Sequence, residues 1–431
     1  MITILLIGLL FMEEIFFLIW NLKEKKKHHR EKMIIRLIGA ALLILLMALS
    51  LLQGMDRYGM LIALFLVQAL IGFFATRRKK QETLKVSGQI VRFLGSLVLY
   101  TFALLPAILF PQYKEPKVTG AYSVAIEEYT WVDDNRIETY SDTGENRAVT
   151  VKFWYPEKEG SYPLVIFSHG ATGVIDSNYS TCKELASNGY VVAAIAHPYQ
   201  AMFVKDVNGK ITAIDMDFFN QVMTDNGSDS PEHEAAVYEM SRQWIEIRTG
   251  DENFVLDTIL KKASDKETGP FVKINSEKIG LFGHSLGGAS SVMVGRERTD
   301  IDAVINLEGT MLGEYTGYEN GDYVFEQEPY PIPLLDVNSR SVYEEASSYK
   351  DREYVNFYVG KNAKDFKEVI FNDAAHLNFT DLPLVSPLLA HMLGTGQVDA
   401  LTCIENVNEM VLNYFNYYLK DAEELNIPKE Y

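Results

Sequence analysis

Four long apolar segments fill the first quarter of this chain. They cover residues 2–20, 33–52, 58–75 and 89–110. Each is close to the ~20 residues that an α-helix needs to cross the hydrocarbon core of a bilayer. Helices buried in a soluble domain are rarely apolar on every face over such a length. The pattern therefore predicts four transmembrane α-helices in residues 1–110, a linker over 111–120 and a soluble domain over 121–431.

The basic residues between these segments predict their orientation. One basic loop holds Lys23, Lys25, Lys26, Lys27, Arg30 and Lys32, and another holds Arg77, Arg78, Lys79, Lys80 and Lys85. The loop between the second and third segments has Arg57 alone. Because basic loops stay in the cytoplasm, the N-terminus and everything after residue 110 are predicted to face outward. No basic region precedes the first segment, which is therefore predicted to be a retained span rather than a cleaved signal peptide.

Four charged residues lie within the apolar segments. Glu13 and Glu14 belong to the first segment, where carboxylates are costly and often functional. They would also be tolerated near the outer end of the helix or on a face that points into the bundle. Arg36 and Arg92 lie near cytoplasmic ends, and we expect their side chains to extend toward the headgroups.

Composition limits the partners of the chain. Residues 1–110 hold 14 of the 40 Lys and Arg but only 6 of the 58 Asp and Glu, so the remainder is strongly acidic. An acidic domain argues against nucleic-acid binding. Cys182 and Cys403 are too few for a disulfide framework or a cysteine zinc site, and either one bridge or two buried thiols fits. Sparse cysteine outside the cytoplasm favours a bacterial envelope, so we expect an integral protein of the bacterial plasma membrane that contacts lipid through its spans.

The acidic part alternates short apolar runs with helical patterns. Predicted strands cover residues 148–155, 164–167, 190–196, 278–282, 303–307, 334–337, 355–358 and 368–371, and predicted helices cover 181–188, 234–262, 288–297 and 407–419. This alternation predicts a mostly parallel sheet with helices on both faces, whose site lies at the carboxyl ends of the strands. Residues 199–232 and 311–331 interrupt it and are expected to be lids or disordered loops.

A catalytic serine is predicted within Gly283-His284-Ser285-Leu286-Gly287-Gly288. The pattern G-x-S-x-G between a strand and a helix is typical of a nucleophile elbow, a strained turn that exposes the serine hydroxyl. Glycines are needed because strand and helix approach too closely for side chains. Without that context the pentapeptide is a weak signal and would fit a structural turn.

A serine nucleophile needs a histidine base and an acid that holds the histidine. In this fold the order along the chain is serine, acid, histidine. His376 follows the last predicted strand directly, whereas His391 lies in an apolar helical stretch, so His376 is the preferred base. Glu308 and Asp336 each end a strand between Ser285 and His376, and the residues alone do not separate them as the acid.

The oxyanion hole of such a site uses two backbone N–H groups. One comes from the residue after the nucleophile, here Leu286, and the other from the loop after an earlier strand. The loop Ser168-His169-Gly170-Ala171-Thr172-Gly173 follows a predicted strand, and Ala171 is the expected second donor. The loop lacks the glycine pattern of a phosphate-binding cradle.

These motifs together resemble the type II platelet-activating factor acetylhydrolases and their bacterial relatives, within the α/β-hydrolases. The resemblance spans residues 120–418 and rests on Trp154-Tyr155-Pro156, Phe167-Ser168-His169-Gly170, the segment 283–288, the 251–256 stretch after Arg248, and His376 followed by Phe379-Thr380-Asp381. It implies an α/β-hydrolase fold and a calcium-independent esterase without metal or cofactor. It also favours Glu308 over Asp336 as the acid. The family usually has Asp at the position of Glu308 and Phe at that of Leu286.

The expected function is a membrane-anchored serine hydrolase of lipid or short-acyl esters, similar to a 1-alkyl-2-acetylglycerophosphocholine esterase. Residues 382–393 would offer an apolar, membrane-facing entry beside His376, or would simply be core. The same triad would also serve an acyltransferase or a peptidase. A further alternative is a non-catalytic outer domain that binds or senses on a membrane bundle.

Overall fold

The computed structural model describes residues 2–52, 55–77, 85–224, 231–349 and 353–431. The chain forms two compact units. The first comprises Met1–Lys114 and Pro383–Met392, and the second comprises Glu115–Leu382 and Leu393–Tyr431.

Long helices build the first unit, and they are α1 (Ile2–Glu24), α2 (His29–Ala48), α3 (Met55–Arg77) and α4 (Val86–Leu109). In the described part of the chain, Thr3–Glu24, Arg57–Arg77 and Val86–Leu109 are long and apolar enough to cross a membrane. This finding supports membrane association. A crossing by α2 stays a prediction, since charged residues occupy its first two turns. Arg78, Lys79 and Lys80 of the second basic loop lie outside the described residues.

The charged residues of this bundle pair with one another. Arg36 is 1% exposed, and its guanidinium donates to Glu13 and to Glu14 Oε1, the latter at 2.7 Å. The expectation that Arg36 extends to the headgroups is therefore wrong: two carboxylates on α1 hold it inside the bundle. The bundle-facing alternative for Glu14 agrees with this arrangement, because Glu14 is buried and also accepts from Lys32 Nζ at 2.7 Å.

The second unit contains strands and helices in alternation. Its strands are β1 (Val124–Ile137), β2 (Asn146–Pro156), β3 (Tyr162–Ser168), β4 (Val191–Ala196), β5 (Phe203–Lys205), β6 (Ile211–Ala213), β7 (Ile274–His284), β8 (Ala303–Leu307), β9 (Tyr315–Glu319), β10 (Asp322–Phe325), β11 (Leu334–Ser339) and β12 (Phe366–Phe371). The remaining helices of the chain are α5 (Tyr179–Ser187), α6 (Met216–Thr224), α7 (Pro231–Ser264), α8 (Leu286–Glu297), α9 (Arg340–Ser347), α10 (Val355–Asn362), α11 (Leu382–Val385), α12 (Pro387–Leu393) and α13 (Ala400–Leu419).

Eight strands form one sheet in the order β1-β2-β4-β3-β7-β8-β11-β12. The pairs from β4 onward are parallel, and β1 and β2 add antiparallel strands at one edge. Neighbouring residues of β7 face opposite helical layers. Leu281 packs in the core that includes Val255 of α7, whereas the ring of Phe282 lies 6.3 Å from that of Phe415 of α13. The predicted α/β-hydrolase architecture, a mostly parallel sheet covered on both faces, is confirmed.

Some local predictions were wrong. Residues 355–358 form the start of α10 instead of a strand, because Val355 and Val359 are buried four residues apart on one helical face. A four-residue apolar run does not distinguish a strand from a helix.

The two segments expected to be lids or disordered loops contain regular structure. The segment 311–331 holds the β9–β10 hairpin. The segment 199–232 holds the β5–β6 hairpin and α6, and its residues 225–230 lie outside the described residues. Cys182 and Cys403 are separate, buried thiols.

Candidate active site

Ser285 lies on a strained turn between β7 and α8. Its backbone has φ 55° and ψ −126°, and its N–H donates to the carbonyl of Leu307 at 2.9 Å. A Cβ on Gly283 would lie 2.2 Å from the backbone of Gly287, and one on Gly287 would lie 2.1 Å from the carbonyl oxygen of Ser168. Only glycine fits at both positions, as the predicted elbow requires. The side chain of Ser285 is left half-buried rather than enclosed.

Glu308 and His376 lie in direct contact. Glu308 follows β8, and His376 begins a short turn of 3-10 helix after β12. The Nδ1 of His376 donates to Glu308 Oε2 at 2.7 Å, and Glu308 Oε1 accepts from the backbone N–H of Ser339 at 2.6 Å. The Glu308 side chain is 2% exposed and that of His376 is 42% exposed. The carboxylate is thus fixed inside the protein while the imidazole reaches solvent.

His284 connects His376 to the nucleophile turn. Its ring lies 4.4 Å from the ring of His376, and its Nε2 donates to the His376 carbonyl at 2.9 Å. Burial and the neighbouring His376 lower the pKa of His284 well below the usual value, so His284 is neutral. The residue immediately before Ser285 therefore holds the backbone of the predicted base.

The other predicted candidates lie in different surroundings. Asp336 is fully buried, and its oxygens accept from the side-chain amides of Asn306 at 2.7 Å, Asn338 at 2.8 Å and Asn356 at 3.2 Å. Burial raises the pKa of Asp336 to about 7. His391 is exposed on α12. The hydrogen bonds place Glu308 beside His376 and surround Asp336 with asparagines.

The predicted oxyanion donors pack near one another. Leu286 begins α8, so its N–H belongs to the first turn, where amides have no intrahelical partner. Its side chain and that of Ala171 share an apolar cluster with Phe218 and Trp244. In the loop after β3, the N–H of Thr172 donates to the Gln200 carbonyl at 2.9 Å, and the N–H of Gly173 donates to the Gly170 carbonyl at 3.1 Å. A Cβ on Gly170 would lie 3.1 Å from the Cβ of Ser285, so this loop passes directly beside the nucleophile.

Backbone strain concentrates at the carboxyl edge of the sheet. Thr172, Tyr199, Ser285, Glu308 and Asp373 all have φ between 53° and 66°, a left-handed region that non-glycine residues rarely adopt. They follow β3, β4, β7, β8 and β12 respectively. Strain of this kind persists only where the surrounding structure enforces it, and it clusters at functional sites.

Arg248, on α7, holds the loop after β3 through hydrogen bonds to its backbone carbonyls. It is fully buried and donates to the carbonyls of His169 and Gly170, the latter at 3.2 Å, and to Gln200 Oε1 at 2.6 Å. His169 is also buried, and its Nδ1 donates to the Gly170 carbonyl at 2.7 Å. With both carbonyls held inward, the backbone of the loop is fixed where it passes Ser285.

A second serine–histidine–carboxylate set lies beneath this loop, and the sequence reasoning missed it. Ser168 Oγ donates to His197 Nε2 at 2.9 Å, and His197 Nδ1 donates to Asp251 Oδ2 at 2.9 Å. All three residues are 0% exposed. Ser168 ends β3 and His197 follows β4, two neighbouring parallel strands, but no local pattern in the sequence links them to each other or to Asp251.

Buried charges surround this second set. Asp251 accepts two hydrogen bonds from Arg147, at 2.7 and 2.8 Å, and one from Arg136 at 2.9 Å. Although burial acts in the opposite direction, Arg147 and His197 hold the pKa of Asp251 far below its usual value. Burial lowers the pKa of His197 to about 3. Next to Asp251, Glu252 accepts from Ser290 of α8, and burial raises the pKa of Glu252 to about 7.

Within the described ranges, no group of three or more His, Cys, Asp or Glu side chains is arranged to hold a metal ion. The Ser285 edge of the sheet instead combines a half-buried hydroxyl, a supported imidazole and an apolar cluster around Leu286. This arrangement is chemically suited to acyl transfer through a serine.

Comparisons with known proteins agree on the family. Residues 130–427 match the family described as platelet-activating factor acetylhydrolase, isoform II. The platelet-activating factor acetylhydrolase of Cavia porcellus is 25% identical over 306 residues, covering 63% of this chain and 61% of the relative. A probable 1-alkyl-2-acetylglycerophosphocholine esterase of Arthroderma benhamiae is 23% identical over 274 residues, covering 61% and 62%. The chain thus spans about three fifths of the length of these relatives.

A solved structure supports the fold. The ferulic acid esterase from Streptomyces cinnamoneus superposes with a TM-score of 0.55 and 22% identity, covering 72% of this chain and 95% of the esterase. The family match covers well over half of the chain and includes every residue of the candidate site. The chain therefore belongs to the isoform II family of platelet-activating factor acetylhydrolases.

Proposed function

We propose that this chain is a membrane-associated serine carboxylic ester hydrolase with Ser285 as nucleophile, His376 as base and Glu308 as the acid that orients it. The observation that carries the proposal is the 2.7 Å hydrogen bond from His376 Nδ1 to the buried Glu308, beside the strained turn of Ser285. Family membership and the esterase structural neighbour support the same class of reaction.

The chemistry follows from these positions. With Nδ1 donating to Glu308, the Nε2 of a neutral His376 has the lone pair that accepts the proton of Ser285. The Ser285 oxygen attacks the ester carbonyl, and the backbone N–H groups of Leu286 and Ala171 stabilise the oxyanion. His376 then gives the proton to the departing alcohol, which leaves an acyl group on Ser285. Water, deprotonated by His376, hydrolyses this acyl-enzyme and restores the serine.

We propose a lipid or short-acyl ester as substrate. The apolar cluster around Leu286 includes Phe218 and Trp244 and supplies an apolar surface beside the nucleophile turn. One relative is named a platelet-activating factor acetylhydrolase and another a probable 1-alkyl-2-acetylglycerophosphocholine esterase. Along the chain, Pro383–Met392 follows the turn that carries His376, and it exposes Leu388 and Met392. These exposed residues support an entry that faces lipid.

We further propose that α2 crosses the membrane together with the three apolar helices, dividing the chain into a transmembrane part over 1–110, a linker over 111–120 and a catalytic part over 121–431. The pairing of Arg36 with Glu13 and Glu14 lowers the cost of placing these charges in a bilayer. The positive-inside rule then puts the N-terminus and the hydrolase on the outer face of a bacterial plasma membrane.

The test uses the full chain in detergent micelles. Wild-type protein should hydrolyse short-chain p-nitrophenyl esters and should be labelled by a fluorophosphonate probe, whereas Ser285→Ala should lose both. Ser276→Ala is the matched control, because Ser276 is exposed at the opposite end of the same strand. Full activity of the Ser285 variant would refute the mechanism, and absence of labelling in the wild type would favour a non-catalytic module. Products formed with added alcohols or amines separate hydrolysis from acyl transfer, and a peptide substrate tests for peptidase activity.

A further inference from the structure

The helical unit contains a cavity of about 500 Å³ that ester hydrolysis at Ser285 does not require. Residues from α1, α2, α3 and α4 line it, together with the connection between α1 and α2. Lys27, Ala75 and Gln89 are among them, so the cavity lies at the end of the bundle where α1 leads into α2 and where α3 ends. Its volume is in the range of sites that hold a small molecule or a lipid headgroup.

Positive charge dominates the lining. Among the described residues, the lining has the cationic side chains of Lys27, Lys32, Arg36 and Arg92 and one carboxylate, that of Glu14. Glu14 already accepts from Lys32 at 2.7 Å, from Arg36 at 2.7 Å and from Tyr100 at 2.8 Å. Glu13, the other carboxylate that Arg36 contacts, is not part of the described lining. Several cationic groups thus converge on one cavity between helices, and an anion bound there would stabilise this end of the bundle.

Arg36 supplies a donor that the protein leaves unused. Its side chain is 1% exposed, its two terminal nitrogens donate to Glu13 and Glu14, and its Nε is buried without a hydrogen-bond partner among the described residues. The guanidinium is held between the rings of Phe65 and Tyr100, at 5.2 and 5.3 Å from their centroids. A buried N–H without a partner costs free energy. Because Arg36 lines the cavity, an acceptor oxygen of a bound ligand would remove that cost.

The lining also indicates the chemical class of the ligand. Guanidinium and ammonium groups suit phosphate oxygens, while Phe17, Ile71 and Leu99 in the same lining offer contact to an acyl or glycerol portion. Basic pockets between membrane helices are known to accept anionic headgroups. We propose that this cavity binds the phosphate group of an anionic ligand, either an anionic phospholipid or a free phosphate compound. The proposal is independent of the ester hydrolase proposal.

The test uses the full chain in two settings. Native mass spectrometry of the chain in phosphatidylcholine nanodiscs, with and without one part in five of phosphatidylglycerol, measures retained anionic lipid. Calorimetric titration of the delipidated chain in detergent with inorganic phosphate measures a soluble anion. Arg92→Gln removes one exposed lining charge, and binding should fall about fivefold. Arg36→Lys keeps the charge but removes the Nε–H, and binding should also fall.

Arg77→Gln is the matched control, because Arg77 is exposed at the end of α3 and does not line the cavity. Loss in Arg92→Gln and Arg36→Lys but not in Arg77→Gln supports the proposal; the lipid arm or the phosphate arm then identifies the source. Absence of binding in both arms overturns it. An equal loss in Arg77→Gln also overturns it, because binding would then reflect surface charge. Activity of all three variants on a soluble ester should match wild type, which keeps this test separate from that of Ser285.

Discussion

The second unit holds the proposed surface set, Ser285, Glu308 and His376, and a buried set, Ser168, His197 and Asp251. Their histidine–carboxylate pairs differ far more in exposure than in distance. In the surface set, His376 donates to Glu308 at 2.7 Å and its side chain is 42% exposed. In the buried set, His197 donates to Asp251 at 2.9 Å and has no exposed surface. The two serines also differ in backbone conformation: Ser285 has a strained positive φ, whereas Ser168 ends the regular strand β3.

A general base needs more than correctly placed hydrogen bonds. A general base must become a cation during the reaction, and burial lowers the pKa of His197 to about 3, so its cation is strongly disfavoured. Asp251 is in addition shared with Arg147 and Arg136. The buried set is therefore suited to holding the loop after β3 in place. The surface set is suited to proton transfer.

The largest expected effect is on kcat, and it should distinguish His376 from His197. His376→Ala removes the proposed base, and we expect kcat for a short-chain p-nitrophenyl ester to fall about 10⁴- to 10⁶-fold. His197→Gln should keep kcat within about tenfold and should instead lower the unfolding temperature, since it disturbs a buried hydrogen-bond network. Steady-state kinetics and thermal unfolding of the full chain in detergent measure both. A catalytic loss in His197→Gln equal to that in His376→Ala would end the distinction between the sets.

The next effect should separate two buried carboxylates. Glu308→Gln leaves His376 without an anionic partner, and kcat should fall about 10³- to 10⁴-fold with little change in KM. Asp336→Asn is the matched control: it removes an acid that accepts from three asparagines, so it should lower stability but leave kcat within about tenfold. If the Asp336 variant loses more activity than the Glu308 variant, the assignment of the acid is wrong.

A feature is predictable from the sequence when the residues that specify it lie close together along the chain. The strand 303–307 and the turn at Ser285 are predictable because their patterns are local. His376 is predicted as the base from chain order, and that role stays a prediction. The residues alone do not separate Glu308 from Asp336, because each lies at or near the end of a predicted strand. In the structure Glu308 follows β8, whereas Asp336 lies inside β11 beside Asn306. The family resemblance favours Glu308, and the hydrogen bond to His376 agrees with it.

Other features had no local signal. Ser168, His197 and Asp251 come together only when β3, β4 and α7 pack, and nothing in their spacing marks them as a set. The short run at 355–358 fits a strand or a helix equally, and burial of Val359 decides for the helix. The position of Arg36 near the end of an apolar segment suggested exposure, whereas its pairing across to α1 keeps it buried.

A change in the buried set should cost stability without removing catalysis. Asp251→Asn leaves Arg147 and Arg136 without their shared carboxylate, and the free energy of unfolding should fall by about 3–5 kcal/mol. Glu246→Gln, an exposed position on the same helix, is the control. Denaturant unfolding gives the stability, and kcat per labelled active site, from fluorophosphonate titration below the transition, gives the catalysis. A stable but inactive Asp251 variant would show that the buried set takes part in the reaction itself.

The smallest effect concerns pH and Glu252, which lies next to Asp251 and accepts from Ser290 of the nucleophile helix. Burial raises the pKa of Glu252 from its ordinary 4.5 to about 7, so between these pH values the folded chain keeps a proton that the unfolded chain has released. Stability contributed by this group is therefore complete below pH 4.5 and is lost as the pH rises toward 7, by up to about 3 kcal/mol. Glu252→Gln removes the titration, so the stability of wild type relative to this variant should fall over that interval and stay level above it. Denaturant unfolding at half-unit pH steps measures the difference, with Glu239→Gln on the exposed face of α7 as the baseline. If the stability of wild type relative to Glu252→Gln instead rises with pH, Glu252 is ionised in the folded protein, as a partner of Arg248. The hydrogen-bond network beneath the loop after β3 would then be held by charge rather than by neutral hydrogen bonds.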